Sequence, residues 1–257
     1  MTAPDPQSLQ GEHVVITGGG TGVGAQIAQS FAQAGAAVTI LGRRLEPLQE
    51  VAEDIGALAL TADVTDRASL DAALTRARDA QGPINVAIAN AGAADSAPFS
   101  KMRVEDFQSS LDVNLVGVFN LWQAALPDML ARGGGRMIAV ASTAGLKGYP
   151  YVSHYCAAKH GVVGLTRALA LELGTKKITV NAICPGFIET PLLEKSIEKI
   201  MTSTGMTDAE ARASLVKGNP QKRFVQTSEV AGTALWLCSP AAFSVNGHAL
   251  SLSGGEI

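Results

Sequence analysis

The chain alternates short apolar runs with longer amphipathic stretches. The apolar runs are rich in β-branched residues and do not alternate with polar ones, a pattern typical of strands buried on both faces of a sheet. They predict seven strands, over residues 14–17, 38–41, 58–61, 86–90, 137–142, 180–184 and 249–252. Helices are predicted between them, over 26–34, 45–55, 68–80, 104–130 and 155–173.

Repeated strand–helix–strand units connect through right-handed crossovers and build one parallel sheet. We therefore predict an α/β fold: a doubly wound, Rossmann-type sheet of about seven parallel strands with helices on both faces. No linker or shift in composition interrupts the pattern, so 11–257 is predicted to be a single domain after a flexible extension over 1–10. Within it, the long polar stretch 190–226 is predicted to be an insertion that covers the substrate.

A glycine-rich segment follows the first predicted strand directly and precedes the first helix. Glycine there permits positive φ and lets the backbone approach a diphosphate, and the helix N-terminus offers free N–H groups to the anion. A tight turn without a ligand is the alternative, but the position between strand and helix predicts dinucleotide binding. The candidate contacts are Gly18, Gly20, Thr21, Gly22, Val23 and Gly24.

The end of the second predicted strand bears on the choice between NAD and NADP. An acid about 20 residues after the glycines would bind the ribose 2′-OH, whereas Arg accommodates a 2′-phosphate. This chain has Gly42 at the position of the acid, followed by Arg43 and Arg44. The absent carboxylate favours NADP(H). NAD(H) stays an alternative, because both arginines could equally be solvent-exposed surface residues that bind no ligand.

Charge and composition exclude several classes of partner. Lys and Arg number 20 against 23 acidic residues, so the net charge of −3 gives no footprint for nucleic acid. No run of 18 apolar residues predicts a membrane span, and the first residues do not resemble a signal peptide. Three scattered cysteines predict neither a disulfide framework nor a metal site, which favours a cytoplasmic protein.

Three polar residues near the fifth predicted strand carry candidate chemistry. Tyr155 and Lys159 stand four residues apart, which places them on one face of a helix. A nearby ammonium group stabilises a phenolate, so the pKa of Tyr155 is expected to fall from about 10 toward the range of a general acid and base. Ser142, at the end of the strand, would hydrogen-bond a substrate oxygen and stabilise its developing charge.

Together with Asn90-Ala91-Gly92 after the fourth strand, these motifs resemble the short-chain dehydrogenase/reductase family in its single-domain form. The resemblance covers nearly the whole chain, and the stretches 160–164 and 181–191 are similar to ketoreductases of that family. It implies an NAD(P)-dependent oxidoreductase that acts on a small carbonyl or alcohol compound.

The resemblance also implies roles that spacing does not show. Lys159 would hold the nicotinamide ribose hydroxyls, and Asn114 would anchor a water that links Lys159 to solvent. With Ser142 and Tyr155 these two residues make up the implied catalytic set. The further cofactor contacts implied are Asp63, Val64, Asn90, Ala91, Gly92, Pro185, Gly186, Ile188 and Thr190.

The substrate pocket is expected beside Ser142, between 143–151 and 187–226. Its candidate lining residues are mostly apolar: Leu146, Tyr149, Phe187, Leu192 and Leu193. Such a pocket suits a carbonyl compound with a hydrophobic, aromatic or acyl body. The predicted helix 155–173 is apolar nearly all round, which is typical of a buried helix. Since family members pair this helix and the preceding one across a two-fold axis, the resemblance implies a homo-oligomer, with a tetramer expected.

Two alternative functions stay open. One is an NAD-dependent catabolic alcohol or 3-hydroxyacyl dehydrogenase, and the other is a non-catalytic dinucleotide-binding sensor. A hydrolase is disfavoured because Ser142 lacks a Gly-x-Ser-x-Gly elbow. His154 and His160 are six residues apart and do not share a helix face, so metal ligation by this pair is not expected.

Overall fold

The computed structural model describes residues 9–257 and contains one sheet of seven parallel strands. The strands are β1 (His13–Thr17), β2 (Ala37–Gly42), β3 (Leu58–Thr61), β4 (Val86–Ala89), β5 (Gly135–Val140), β6 (Ile178–Pro185) and β7 (Ala249–Leu252). Their order is β3-β2-β1-β4-β5-β6-β7, so the direction of winding reverses between β1 and β4. Open α/β sheets bind ligands at the carboxyl ends of the strands at such a reversal. The predicted fold class is confirmed.

Helices cover both faces of this sheet. They are α1 (Gly22–Gln33), α2 (Leu45–Ile55), α3 (Arg67–Gln81), α4 (Val104–Leu111), α5 (Gly117–Arg132), α6 (Ser153–Leu173), α7 (Pro191–Thr204), α8 (Asp208–Leu215) and α9 (Thr227–Cys238). One core lies between the sheet and α3, α5 and α6, and the other between the sheet and α1, α2 and α9. Among residues 9–257, no helix combines the length and the apolar character needed to cross a membrane.

The strands fill both cores because successive side chains point to opposite faces. In β1, Val15 contributes to the core beneath α3, α5 and α6, while Val14 and Ile16 contribute to the opposite one. All three are fully buried. The continuous apolar runs that predicted these strands are therefore a direct result of burial on two sides.

The predicted helix over 104–130 is interrupted in the structure. Between α4 and α5 lies a π-helical turn, Asp112–Val116, in which one extra residue is accommodated. Asn114 lies in this turn and is fully buried. Hydrophobic periodicity does not reveal a π-turn, because the helix continues on both sides of it.

The stretch 190–226 is more ordered than the predicted loop, since it contains α7 and α8. These helices enclose a small core of their own around Leu193, Ile197 and Ala211. Both ends of the stretch meet where Ile188 pairs with Val225 as an isolated parallel bridge. Its role as a cover over substrate stays a prediction, as does the division of the chain into an extension and one domain.

Most of the predicted flexible extension, 1–8, lies outside the described residues. Of its last two residues, Leu9 is buried, and its N–H donates a hydrogen bond of 2.8 Å to the carbonyl of Ala34. Leu9 thus packs with the core formed by α1, α2 and α9. The fold includes at least this end of the segment.

Candidate active site

The glycine-rich turn after β1 is shaped to receive an anion. Gly18 and Gly22 have positive φ, at 67° and 55°, and α1 begins at Gly22. The Thr21 side chain does not cap this helix, and its first turn holds no acid, so its N–H groups stay free for a ligand. A Cβ on Gly24 would lie 2.1 Å from the carbonyl oxygen of Gly18. The residues therefore fit the diphosphate of a dinucleotide, which requires such close backbone packing.

Asn90 ties this turn to the end of β4. Its Nδ2 donates to the carbonyl oxygens of Thr17 and Gly18, at 3.0 and 3.1 Å. The Oγ1 of Thr17 accepts in return from the N–H groups of Asn90 and Ala91, both at 3.1 Å. Thr17 was not among the predicted site residues, although its place directly before the glycines is visible in the sequence. The four bonds fix the two strands on either side of the winding reversal.

The ends of β2 and β3 bring basic and acidic groups together. Arg43 and Arg44 are exposed after β2. Asp63 Oδ1 accepts hydrogen bonds from the N–H and hydroxyl of Thr65, at 2.9 and 2.8 Å. These bonds, with a smaller contribution from Arg43, hold the pKa of Asp63 below its usual value. The adjacent Val64 is buried, and its carbonyl accepts from Asn120 Nδ2 at 2.8 Å.

α6 places Tyr155 and Lys159 on one face, as the spacing predicts. Lys159 is buried, and its Nζ lies 5.6 Å from the centroid of the Tyr155 ring. This Nζ donates a 2.9 Å hydrogen bond to the carbonyl of Val140, the last residue of β5. Ser142 lies two residues beyond β5, close enough to Tyr155 to affect the pKa of its hydroxyl. Its Oγ also accepts from the N–H of Ala144 at 3.1 Å, which begins the 3₁₀ turn Thr143–Gly145.

The π-turn delivers Asn114 to the same region. Its Oδ1 accepts from the N–H of Ala93 at 3.2 Å, and its Nδ2 donates to the carbonyls of Ala93 and Ser110. A Cβ on Gly92 would lie 2.9 Å from Asn114 Oδ1 and 3.8 Å from Lys159 Nζ. Both polar groups therefore border the small space that the missing side chain of Gly92 leaves.

The pKa shifts of the tyrosine and lysine differ from the expectation. Burial raises the pKa of Tyr155 to about 12, against a smaller opposite effect of the hydrogen bond from Ser142. Burial also lowers the pKa of Lys159 to about 8. The shift of the Tyr155 pKa is thus opposite in direction to the lowering expected from the ammonium group. The reason is that desolvation outweighs a charge 5.6 Å from the ring centre whose hydrogen bond goes to Val140.

The segment after β6 joins the catalytic side to the glycine-rich turn. Pro185 ends β6 and is buried, with Gly186 following. Thr190 caps α7, where its Oγ1 accepts from the N–H of Leu193. The Cγ2 of Thr190 lies 3.4 Å from the position of a Cβ on Gly22. The start of α7 therefore lies against the start of α1. Thr190 and the glycine-rich turn, both predicted to contact the cofactor, are thus neighbours.

The predicted lining residues divide into two groups. Tyr149 and Phe187 meet edge to face, with ring centroids 6.4 Å apart and planes at 79°. Leu192 is exposed at the start of α7, whereas Leu193 is only 4% exposed in the core between α7 and α8. Leu146 packs against the core under α5 and α6. We therefore keep Tyr149, Phe187 and Leu192 as lining candidates and assign Leu193 to packing.

A scan against protein-family models matches residues 12–200 to the short chain dehydrogenase model. The chain belongs to the short-chain dehydrogenase family. It is therefore an NAD(P)-dependent dehydrogenase/reductase, and the resemblance predicted from the sequence is confirmed at the level of the family.

Curated relatives and solved structures align over nearly their full lengths. D-beta-hydroxybutyrate dehydrogenase of Rhizobium meliloti is 34% identical, with 94% of this chain and 96% of that relative covered. The 3-oxoacyl-(acyl-carrier-protein) reductase FabG of Thermotoga maritima is also 34% identical, with 97% and 99% covered. A variant of actinorhodin polyketide ketoreductase solved with NADPH superposes with a TM-score of 0.92 at 33% identity, covering 99% of both chains.

Two histidines flank the tyrosine motif of this short-chain dehydrogenase. His154 is buried, while His160 is exposed and its Nδ1 lies 2.9 Å from the carbonyl oxygen of Cys156. They lie on different sides of α6, as the spacing predicts. Thr143 and Lys147 lie in the predicted pocket segment 143–151 without being named as site residues, and Glu256, which contacts Lys147 and Tyr149, lies outside every predicted segment. Nothing in their spacing signals that they meet.

Proposed function

We propose that this short-chain dehydrogenase/reductase interconverts a ketone and a secondary alcohol by hydride transfer with NADP(H), with Tyr155 as the general acid and base. The observation that carries the proposal is the meeting of Ser142, Tyr155 and Lys159 at the carboxyl edge of the sheet. The glycine-rich turn fitted to a diphosphate opens at the same edge. A proton donor and a dinucleotide site at one edge are what carbonyl reduction requires.

Each catalytic candidate has a distinct task. Ser142 donates a hydrogen bond to the substrate oxygen, and Tyr155 transfers its hydroxyl proton to that oxygen as charge develops there. Lys159 keeps two N–H donors beyond the one that Val140 accepts, and these are free for ribose hydroxyls. Asn114 holds the wall of the space beside Lys159 through which a water could return the proton. When bound, the dinucleotide supplies or accepts the hydride.

Burial keeps Tyr155 in the protonated form, which is the form that carbonyl reduction uses. A tyrosine whose pKa is about 12 carries its proton at neutral pH and is ready to donate it. Oxidation of an alcohol requires the phenolate, which burial disfavours.

NADP(H) is favoured by the exposed arginines after β2. The position of the 2′-OH acceptor is Gly42, and Arg43 lies close enough to Asp63 to affect its pKa. The competing candidate is an NAD-dependent 3-hydroxyacyl or alcohol dehydrogenase, which the similarity to D-beta-hydroxybutyrate dehydrogenase favours. A non-catalytic sensor has less support, because all four catalytic candidates are present and assembled.

The direct test is a panel of ketones and secondary alcohols assayed by nicotinamide absorbance with NADPH and NADH. We expect turnover of hydrophobic, aromatic or acyl ketones, with a higher kcat/KM for NADPH. The apolar lining candidates Tyr149, Phe187 and Leu192 support this class of substrate. Turnover confined to NADH and a small hydroxy acid would support the competing dehydrogenase instead.

Replacing Arg43 with Ala is expected to lower kcat/KM for NADPH by about 10- to 100-fold, the usual worth of a charge-assisted hydrogen bond. The value for NADH should change little, because NADH has no 2′-phosphate. Arg76→Ala removes an exposed arginine from α3 and serves as the matched control. An Arg43→Ala enzyme with unchanged cofactor preference would contradict the assignment of the arginine.

A homo-oligomer, with a tetramer expected, completes the proposal. α6 is not buried all round in the single chain, since Leu171 on it is 87% exposed, and Val116 and Phe119 are partly exposed on the preceding helical segment. Exposed apolar side chains on these two helical segments favour association. Sedimentation velocity should show a species of four 26.5 kDa chains. A stable monomer at micromolar concentration would contradict it.

Location is the last part of the proposal. All three cysteines of the chain are free and buried. Free thiols are typical of a reducing compartment, which supports a cytoplasmic protein.

A further inference from the structure

The segment after β7 returns to the proposed substrate pocket. Glu256 lies four residues beyond β7, and only 8% of its side chain is exposed. Its Oε1 accepts hydrogen bonds from Lys147 Nζ at 2.7 Å and from the Tyr149 hydroxyl at 2.8 Å. The carboxylate also lies within 3.7 Å of the positions that Cβ atoms on Gly186 and Gly218 would take. One side chain therefore hydrogen-bonds to the segment that holds Lys147 and Tyr149 and lies beside Gly186 and Gly218.

The direction of the hydrogen bonds follows from the donors present. The Tyr149 hydroxyl lies 2.8 Å from both Glu256 Oε1 and Thr143 Oγ1 but has a single proton. A carboxylate only accepts, so Tyr149 donates to Glu256 and accepts from Thr143. Burial raises the pKa of Tyr149 above its ordinary value, which keeps this proton in place.

The ion pair with Lys147 offsets the desolvation cost of burying the Glu256 carboxylate. An unpaired carboxylate in an apolar site is costly, whereas a paired one with further hydrogen bonds is tolerated. The Nζ of Lys147 neutralises Glu256 and lies 4.9 Å from the centroid of the Tyr149 ring. The tyrosine is therefore held at its hydroxyl by two partners and over its ring by a cation.

This network reaches the catalytic serine through Thr143. Thr143 is buried and is the first residue of the 3₁₀ turn that the Ser142 side chain caps. On its other side, the Tyr149 ring packs edge to face with Phe187. Movement of Tyr149 would disturb both the support of the Ser142 turn and the aromatic wall.

We propose that Glu256 is a positioning residue, which acts through Tyr149 and Thr143 to hold the Ser142 turn and the Tyr149–Phe187 wall for the substrate. The inference rests on the proposed function in one respect: the substrate must bind between this wall and Ser142. It assigns a role in carbonyl binding to a residue far from every catalytic motif in the sequence.

The test compares Glu256→Ala with Glu256→Gln, whose amide oxygen can still accept from Tyr149. We expect Glu256→Ala to lower kcat/KM for the carbonyl substrate by about 10-fold, the usual effect of losing a hydrogen bond to a charged group. KM for NADPH should stay unchanged, and Glu256→Gln should recover most of the loss. Adding Tyr149→Phe to Glu256→Ala should cause little further loss, because the two residues act in one chain of contacts.

The matched control is Asp71→Asn, which removes the acid of another ion pair, with Arg67 at 2.9 Å on α3. It should leave all kinetic constants unchanged. If Glu256→Ala leaves the carbonyl kcat/KM unchanged, or lowers the rate only together with the melting temperature and NADPH binding, without rescue by Gln, the inference is wrong.

Hydrogen exchange separates this inference from the proposed function, because it needs no turnover. Peptides covering 143–149 should exchange faster in Glu256→Ala than in the wild type and in Asp71→Asn. Unchanged exchange there overturns the inference whether or not a substrate is found. A wild-type enzyme that reduces no carbonyl compound overturns the proposed function, and with it the catalytic part of the inference, while the exchange measurement still decides the positioning of the turn.

Discussion

Phe in place of Tyr155 is expected to lower kcat for carbonyl reduction by about 10²- to 10⁴-fold, the usual contribution of a positioned acid or base. The substitution removes the hydroxyl that lies near Ser142 at the catalytic edge and keeps the ring, whose centroid is 5.6 Å from Lys159 Nζ. NADPH affinity should change little, because the ring and the glycine-rich turn remain. Stopped-flow measurement of NADPH oxidation with a substrate from the panel gives the rate.

Tyr151→Phe is the matched control for this substitution. Tyr151 is four residues away in the sequence and 64% exposed, so the loss of its hydroxyl should leave most of the rate. A Tyr155→Phe enzyme that folds, binds NADPH and still reduces the ketone at the wild-type rate would remove Tyr155 from the mechanism.

The second large effect is expected at Gly24. A Cβ there would lie 2.1 Å from the carbonyl oxygen of Gly18 and 2.5 Å from Asn90 Nδ2, closer than any packing allows. Gly24→Ala must therefore displace the turn and strain the bonds through which Asn90 holds it. We expect a loss of about 1–3 kcal/mol in the free energy of unfolding, the usual effect of overpacking. Affinity for NADPH and NADH should fall together.

Thermal unfolding and titration of nicotinamide fluorescence measure the two effects. Gly232→Ala on α9 is the control, since among residues 9–257 no heavy atom outside its own stretch of helix lies within 4 Å of the added Cβ. Alanine is favoured over glycine inside a helix, so this variant should be as stable as the wild type or more so. Normal dinucleotide binding by Gly24→Ala would contradict the proposed role of the turn.

The sheet was predictable because its strands are buried on both faces. β1 and β4 contribute alternate side chains to two cores, and only a continuous apolar run can do this. β5 lies two residues earlier than predicted, and β6 begins two residues earlier and ends one residue later, because main-chain hydrogen bonds and not hydrophobicity set the ends of a strand. Helices α7 and α8 were not predicted, because their small core requires only a few apolar residues and these give no clear helical periodicity in a polar stretch.

The site was predictable where its chemistry is local in the sequence. Tyr155 and Lys159 lie one turn apart, and the glycines adjoin a strand, so spacing alone places them. The pKa of Tyr155 was not predictable, because it depends on how strongly the folded chain excludes water. Glu256 was missed for a related reason: it meets Tyr149 across more than a hundred residues, and no local pattern encodes that contact.

The position of the Asn114 side chain depends on the number of residues in the π-turn between α4 and α5. An ordinary α-helix rotates by about 100° per residue, so deleting a single residue within Asp112–Val116 would turn α4 by that angle relative to α5. The amide of Asn114 would then lose its two bonds to Ala93 even though the composition of the helix had scarcely changed. Exchanges of one hydrophobic residue for another within 104–132 should consequently be tolerated far better than an insertion or deletion there.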